Sequence, residues 1–233
     1  MQKLTDTLFV ITARGGSKGL PGKNIKELCG KPLIAYSIDV ARSFADDEHI
    51  CVSTDSEDIK GVVEDYGLSV PFLRPDYLAT DTATSNDVLV HAVNFYKEQG
   101  REYKKLVLLQ PTSPLRTKED VAGALNLYRD DIDMVVSVIK SHAPAVLCTE
   151  NVDGFVQLVY NKKATGRQQL QDMYEFNGAV YVINIQALLE KGIVGFTKKV
   201  KYVMPKEHSM DIDDIYDFYH VETLMKHSIK RYE

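Results

Sequence analysis

Cysteine is scarce in this chain of 233 residues, which has three: Cys29, Cys51 and Cys148. They are far apart and form no CxxC pair, so the sequence predicts neither a disulfide framework nor a zinc site. Long hydrophobic runs are missing as well. The first apolar stretch, residues 8–13, is too short for a signal sequence or a membrane span. We therefore expect a cytoplasmic protein that makes no contact with a membrane.

An excess of positive charge is also missing, because 28 Lys and Arg face 33 Asp and Glu, for a formal net charge of -5. Proteins that bind nucleic acid generally carry a basic face, so this balance argues against a nucleic-acid partner. The six histidines share no metal-like spacing, and no Ser-His-Asp motif is apparent. A local basic cluster could still bind a small anion.

The order of apolar segments predicts an α/β fold, in which a mostly parallel, Rossmann-like sheet is flanked by helices. Short apolar runs predict strands, and helical patterns fill the intervals between them, with Thr117 and Asp120 at the spacing of a capping box. We expect one domain over residues 1–233, with an inserted arm over about residues 140–176, where no clean helical pattern is found. The predicted strands of the sheet are residues 8–13, 49–54, 105–110, 133–139, 177–184 and 199–204, and a further strand is expected within the arm over residues 155–160.

The loop "ARGGSKGLPGKN" follows the first predicted strand and lies at the sheet edge where α/β proteins bind ligands. Its glycines let backbone N–H groups approach an anion, and Arg14, Lys18 and Lys23 could neutralise a polyphosphate. The loop fits neither a Walker loop nor a dinucleotide fingerprint. A solvated basic loop remains the alternative.

Two further features suggest a site. Asp211 and Asp213 are two residues apart, so in an extended segment both carboxylates project to one side, as a magnesium site requires. Helix capping by Asp213 or Asp214 is the alternative. Gln110 ends a predicted buried strand, where an amide is unfavourable unless it faces a ligand.

The chain resembles the acylneuraminate cytidylyltransferases. The shared motifs are "ARGGSKGLPGKN", "STDSEDI", "RPDYLATDTATSNDVL", "LLQPTSPLR", "NGAVY" and "DIDD", which occur in the family's order over nearly the whole chain. The related KDO cytidylyltransferases typically read "QGDEP" where this chain reads "QPTSP". The resemblance therefore makes KDO the less favoured sugar.

The resemblance implies an enzyme that joins CTP to an N-acylneuraminate and releases diphosphate. It implies that Arg14 and Lys23 are catalytic, with Arg14 nearest the reacting phosphorus, and that Asp211 and Asp213 bind Mg²⁺ (or Mn²⁺). The residues that it assigns to the nucleotide are Arg14, Ser17, Lys18, Lys23, Asn24, Arg74 and Ser85. Without the resemblance, Arg74 could be a surface residue. Ser85 or Asn86 is also expected to cap the helix that begins there.

On the sugar side, the resemblance assigns contacts with a nine-carbon acidic sugar to Gln110, Arg167, Asn177 and Tyr181. It also implies a homodimer, in which the arm carries Arg167 to the partner's site. The chain departs from some family members at Glu175, where they have arginine, and in "GIVGFTKK", where they have two aromatic residues and this chain has only Phe196.

Several alternatives stay open, and the departures favour those with a differently substituted sugar. The sugar could be legionaminic acid, the deaminated sugar KDN or KDO. An enzyme acting on a sugar 1-phosphate is a further rival, and a catalytically silent nucleotide-binding regulator on the same fold is the rival from another class.

Overall fold

The computed structural model describes residues 3–80, 83–141, 148–150, 152, 155–158 and 172–229. Ten strands are assigned within these ranges: β1 (Thr7–Ala13), β2 (Glu27–Leu28), β3 (Lys31–Pro32), β4 (Ile50–Thr54), β5 (Lys105–Leu108), β6 (Met134–Ser141), β7 (Cys148–Glu150), β8 (Val156–Leu158), β9 (Met173–Asn184) and β10 (Lys199–Val203). The α-helices of the same ranges are α1 (Leu33–Arg42), α2 (Glu57–Asp65), α3 (Ser85–Glu98), α4 (Lys118–Asn126), α5 (Ile185–Lys191) and α6 (Ile215–Ile229).

Six of the strands form the central sheet, in the order β10-β6-β9-β5-β1-β4. Strand β9 runs antiparallel to both of its neighbours, and the other pairings are parallel. The prediction of a mostly parallel sheet flanked by helices is confirmed. Because β1, β4 and β5 run in one direction, their carboxyl ends meet at one edge, where ligands bind in such sheets.

Apolar side chains cover both faces of this sheet. On one face, Phe9 and Ile11 of β1 pack with residues of α1, α2 and α4. On the other face, Leu8 and Val10 pack with residues of α3 and α5. The alternation along β1 is that of a strand buried on both sides. A third cluster joins Leu20 of the opening loop to α6.

The helix caps test two sequence expectations. Thr117 and Asp120 form the expected capping box at the start of α4. Ser85 or Asn86 was expected to cap α3, and this is wrong: Thr84 caps the helix in a box with Asp87, and Ser85 is the first helical residue. Thr84 and Asp87 have the same Thr-x-x-Asp spacing as Thr117 and Asp120, so one sequence pattern marks both boxes.

The strands that border the predicted arm are longer than expected. Strands β6 and β9 pair as far as Ser141 and Met173, so both ends of the segment 140–176 are regular ladder. Within the arm, the described strands β7 and β8 form a separate antiparallel pair, and β8 falls in the strand expected near residues 155–160. Within the described ranges, no helix has the length and hydrophobicity that a membrane span requires.

Candidate active site

The opening loop leaves β1 at Ala13 and is fixed at its start from two sides. The side-chain amide of Asn24, a buried residue, donates to the carbonyl oxygen of Arg14 at 3.1 Å. The carboxylate of Asp55, which follows β4, accepts from the N–H of Gly15 at 3.0 Å. Neighbouring parallel strands therefore hold the loop at the sheet edge, with Arg14 and Lys18 exposed.

Lys23 ends the loop and connects it to the carboxyl-terminal part of the chain. Gly22 has φ +66°, a conformation that suits glycine, and it starts a short 3₁₀ turn over Lys23–Ile25. The Lys23 ammonium donates to the carbonyl oxygen of Ile212 at 2.8 Å and lies 3.7 Å from a carboxylate oxygen of Asp213. Its side chain is 15% exposed, whereas that of Asp213 is 83% exposed.

A second contact joins the same two segments at Gly19. A Cβ atom placed on Gly19 would lie 2.4 Å from the carbonyl oxygen of Asp213, which is far inside van der Waals contact. Glycine is needed here because the backbones touch. The basic loop and the acidic segment therefore lie directly against each other.

The acidic segment, residues 211–214, is anchored at both ends. The N–H of Ile212 donates to the carbonyl oxygen of Thr112 at 2.8 Å, and the hydroxyl of Ser113 lies 3.5 Å from Asp211 Oδ1. Asp214 accepts from the N–H groups of Tyr216 and Asp217, so it caps α6 as the sequence predicted. Asp211 and Asp213 are then left facing the cavity.

The two carboxylates differ in their surroundings. Burial raises the pKa of Asp211, and the negative charge of Asp213 adds to that shift, whereas the Thr112 hydroxyl and the Lys23 ammonium oppose it. A nearby cation would favour the charged form of Asp211.

Arg74 lies at the carboxyl end of β4 and is 7% exposed, which excludes the surface alternative. Its Nη2 donates to the Ser53 carbonyl oxygen at 2.6 Å, and its Nε donates to the Ser53 hydroxyl at 3.2 Å. Burial lowers the pKa of Arg74, and the negative charge of Asp55 opposes the shift. The guanidinium group of Arg74 is therefore fixed by Ser53 and partly desolvated at the edge of the site.

Gln110 follows β5, and its side chain packs on Gly178 of β9. A Cβ atom on Gly178 would lie 2.7 Å from Gln110 Oε1, and Gly178 has φ +73°. The register of β6 and β9 shifts at this point, between Val136 and Val138. Glycine at this position therefore allows both the bulge in the ladder and the close approach of the Gln110 side chain.

These elements surround a cavity of about 570 Å³ at the carboxyl edge of the sheet. Ten of the predicted site residues line it: Arg14, Ser17, Lys18, Lys23, Asn24, Arg74, Ser85, Gln110, Asp211 and Asp213. One wall is basic and the adjoining wall carries the paired carboxylates. Such an arrangement can bind a polyphosphate together with a divalent cation.

Two predicted sugar contacts, Asn177 and Tyr181, are outside that lining. Tyr181 is half-buried, and its pKa is raised first by burial and then by the negative charge of Asp211, so the phenol lies near that carboxylate. Asn177 is buried and hydrogen-bonded to the hydroxyls of Ser137 and Ser209. Arg167 lies outside the described residues. These three assignments stay predictions.

A metal ion at this site would use few protein ligands. Across the part of the chain that the structure describes, no group of three or more His, Cys, Asp or Glu is placed to hold a metal. Mg²⁺ keeps several waters and is commonly bound by one or two carboxylates and the substrate's phosphates. Asp211 and Asp213, beside a basic wall that suits phosphates, fit that mode of binding.

The sequence reasoning missed residues that hold the site together. The carbonyl oxygen of Thr112 and the hydroxyl of Ser113 hold the acidic segment, and the carboxylate of Asp55 holds the basic loop. All three lie in motifs quoted above, "QPTSP" and "STDSEDI". Their roles were not visible because each partner is distant in the chain, as with Ser113 and Asp211, which are 98 residues apart.

Comparison with known proteins places these motifs in a wider group. A family model described as cytidylyltransferase matches residues 8–224. The chain is 38% identical over 220 residues to an N-acylneuraminate cytidylyltransferase of Streptococcus agalactiae, covering 92% of this chain but 52% of that protein. It thus spans about half the length of that relative.

Two other proteins match over almost their full length. The chain is 35% identical to the CMP-N,N'-diacetyllegionaminic acid synthase of Legionella pneumophila, which covers 94% of this chain and 96% of that protein. A structure of CMP:2-keto-3-deoxy-manno-octonic acid synthetase complexed with CTP superposes with a TM-score of 0.70 at 18% identity, covering 95% and 99% of the two chains. At 18% identity, this structural similarity shows a shared fold and nothing more.

Proposed function

This chain belongs to the cytidylyltransferase family, and we propose that it activates a sialic-type nonulosonic acid with CTP. The sugar's C2 hydroxyl oxygen would attack the α-phosphorus, and the bond to the bridging oxygen would break, releasing diphosphate and the hydroxyl proton. One observation carries the proposal: a single cavity brings the cations of the opening loop against the paired carboxylates. The names of the relatives support the same chemistry.

Charge neutralisation and alignment would account for most of the catalysis, because phosphoryl-type transfers need little covalent help. Arg14, Lys18 and Lys23 would bind the triphosphate, with Arg14 and Lys23 in the catalytic roles. Lys23 suits such a role because two contacts to the acidic segment fix its ammonium. Ser17, Asn24, Arg74 and Ser85 would complete the nucleotide site.

A divalent cation, Mg²⁺ or Mn²⁺, would be held by Asp211 and Asp213. When bound, it would offset negative charge on the phosphates of CTP. Lys23 lies 3.7 Å from Asp213 and could hold this carboxylate before the cation and CTP enter. That ion pair is mostly solvent-accessible on the Asp213 side, so replacing it would cost little free energy.

The sugar would enter beside Gln110 and Tyr181, the latter near Asp211. We propose an N-acylneuraminate as substrate, with legionaminate as the nearest alternative, since the relatives include enzymes named for both. KDN and KDO are the remaining alternatives. A homodimer with Arg167 reaching the partner's site belongs to the same proposal.

The test is release of diphosphate from CTP with a panel of sugar acids: N-acetylneuraminate, N,N'-diacetyllegionaminate, KDN and KDO. Turnover of at least one nine-carbon acid, with CTP preferred over ATP, GTP and UTP, would support the proposal. A sugar 1-phosphate serves as the control for the rival transferase. Binding of CTP without turnover of any sugar would favour the silent regulator instead.

A further inference from the structure

Arg116 is a buried cation to which the proposed reaction assigns no role. It ends the motif "LLQPTSPLR" and is 3% exposed. Within the described part of the chain it forms no ion pair within 4.0 Å, and its Nε atom is buried without a hydrogen-bond partner. Burial lowers the pKa of Arg116 to about 9, opposed by the charge of Asp120. Burying a charge without an ion-pair partner is costly, so the position calls for an explanation.

The guanidinium group joins three backbone and side-chain oxygens below the cavity. Its Nη1 donates to the carbonyl oxygens of Gln110 at 3.1 Å and Ala179 at 2.7 Å, and its Nη2 donates to the Ser37 hydroxyl at 2.6 Å. Ser37 in turn donates to the Gln110 carbonyl oxygen at 3.3 Å. Arg116 and α1 therefore hold the same carbonyl.

The position of this contact matters because the β5–β9 ladder ends just before it. The last paired residues are Leu108 and Tyr181, so strand pairing no longer fixes Gln110 relative to Ala179. Arg116 replaces the missing ladder with a bridge between the two carbonyls. The bridge lies next to Gly178, on which the Gln110 side chain packs.

We propose that Arg116 is a positioning residue, which fixes Gln110 and the Gly178 bulge relative to each other and so sets the sugar side of the cavity. The inference rests on the proposed function for the identity of the ligand. The inference requires no contact between Arg116 and the substrate. Arginine suits the task because its planar fork supplies several donors at fixed angles, which a lysine ammonium cannot match.

The first experiment compares Arg116→Lys and Ser37→Ala with two matched controls at the end of α1. The controls are Arg42→Lys, at an exposed ion pair with Asp47, and Ser43→Ala, at a surface hydrogen bond. Sugar kinetics are measured at saturating CTP, and the Kd of CTP is measured by calorimetry without sugar.

Arg116→Lys should lower kcat/KM for the sugar by about 10- to 100-fold, because small displacements of a positioning group are amplified in the rate. Ser37→Ala removes two hydrogen bonds, one accepted from Arg116 and one donated to the Gln110 carbonyl oxygen, and should lower kcat/KM by about two- to tenfold. The Kd of CTP should stay within about twofold of the wild-type value in both variants, because the residues proposed to bind CTP are not part of the bridge. The controls should match the wild type.

A second experiment reads the position of Gln110 without any turnover. The side-chain amide signals of Gln110, identified by their loss in Gln110→Ala, are followed by ¹⁵N NMR in each folded variant. They should shift or broaden in Arg116→Lys and Ser37→Ala but not in the controls. If Arg116→Lys does not fold, Ser37→Ala decides in both experiments.

Unchanged Gln110 signals in the folded variants would overturn the inference. Equal losses of sugar efficiency and CTP affinity would overturn it too, because they would indicate general damage to the fold. If the wild-type protein turned over no sugar acid, the proposed function would fall, whereas the NMR comparison would still decide whether Arg116 positions Gln110.

Discussion

Replacing Gly19 by alanine should uncouple the basic loop from the acidic segment. The added Cβ would lie 2.4 Å from the carbonyl oxygen of Asp213, whereas ordinary contacts begin near 3.4 Å, so the two backbones must separate by about 1 Å. The obstacle is backbone on both sides and cannot be relieved by a rotamer change. The φ angle of Gly19 is not in the left-handed region, so contact alone causes the strain.

The rate should fall much more than the stability. A displacement of about 1 Å in a positioning element can cost about 10²-fold in rate, and we expect a loss of kcat of that order. Overpacking commonly costs about 1–3 kcal/mol, and the exposed position of Gly19 puts the expected cost near the lower limit. The concentration of Mg²⁺ that gives half-maximal activity should rise, because the carboxylates move relative to the phosphates.

Gly16→Ala is the matched control for this experiment. Gly16 lies in the same loop, a Cβ there meets no atom within 4 Å, and the substitution keeps the N–H group. Steady-state kinetics, a magnesium titration and thermal melts of the two variants make the comparison. If Gly19→Ala turned over as fast as Gly16→Ala, with the same magnesium dependence, the contact would have no part in alignment.

Three further predictions follow from the proposed site. Asp211→Ala should lower kcat by about 10²-fold or more, with a nearly unchanged melting temperature. Near-normal magnesium-dependent activity of this variant would show that Asp211 is not a metal ligand. Arg14→Ala should lower kcat far more than CTP affinity, because charge builds up in the transition state; a higher KM for CTP at an unchanged kcat would reduce it to a binding residue. Mixing Arg14→Ala with Arg167→Ala should partly restore activity after subunit exchange, and no recovery despite measured exchange would mean that each site is built from one chain.

The fold could be predicted from local pattern because its central strands are buried on both faces. Continuous apolar runs identify β1 and β5, and the residues at their carboxyl ends, Arg14 and Gln110, could therefore be placed at one edge. The ends of β6 and β9 beyond the bulge, residues 140–141 and 173–176, could not be predicted in the same way. Their side chains are half-buried or exposed, so no hydrophobic alternation marks these segments as strands.

Most of the residues that line the cavity could be named from the sequence, but the contacts that hold them in place could not. Charged residues in a glycine-rich loop and paired carboxylates have chemistry that the sequence displays directly. The contacts that bring them together are backbone contacts between distant segments, as between Gly19 and Asp213 or Thr112 and Ile212. Such contacts depend on where the chain returns in space, which no local pattern encodes.

Glu175 shows how the strand register changes an expectation from sequence. A carboxylate where some family members have arginine would weaken attraction for an acidic sugar unless its side chain pointed away. Glu175 pairs with Ile139, and its carboxylate accepts a hydrogen bond from Ser141. Directly paired residues share a face of the sheet, so Glu175 is on the same face as Ile139. Successive residues of a strand point to opposite faces, so Val138 is on the other face.

That register separates Glu175 from the residues proposed to meet the sugar. Val138 packs in the cluster that contains α3, and Tyr181 packs against the same cluster, so both lie on the face of the sheet that α3 covers. Residues of α3 also line the cavity. Phe196, the one aromatic residue of "GIVGFTKK", is buried in that cluster at 3% exposure. Glu175 and Phe196 therefore do not line the cavity that the described residues form. Gln110 does line it, so the sugar contact proposed for Gln110 would depend on the guanidinium bridge that holds its carbonyl oxygen.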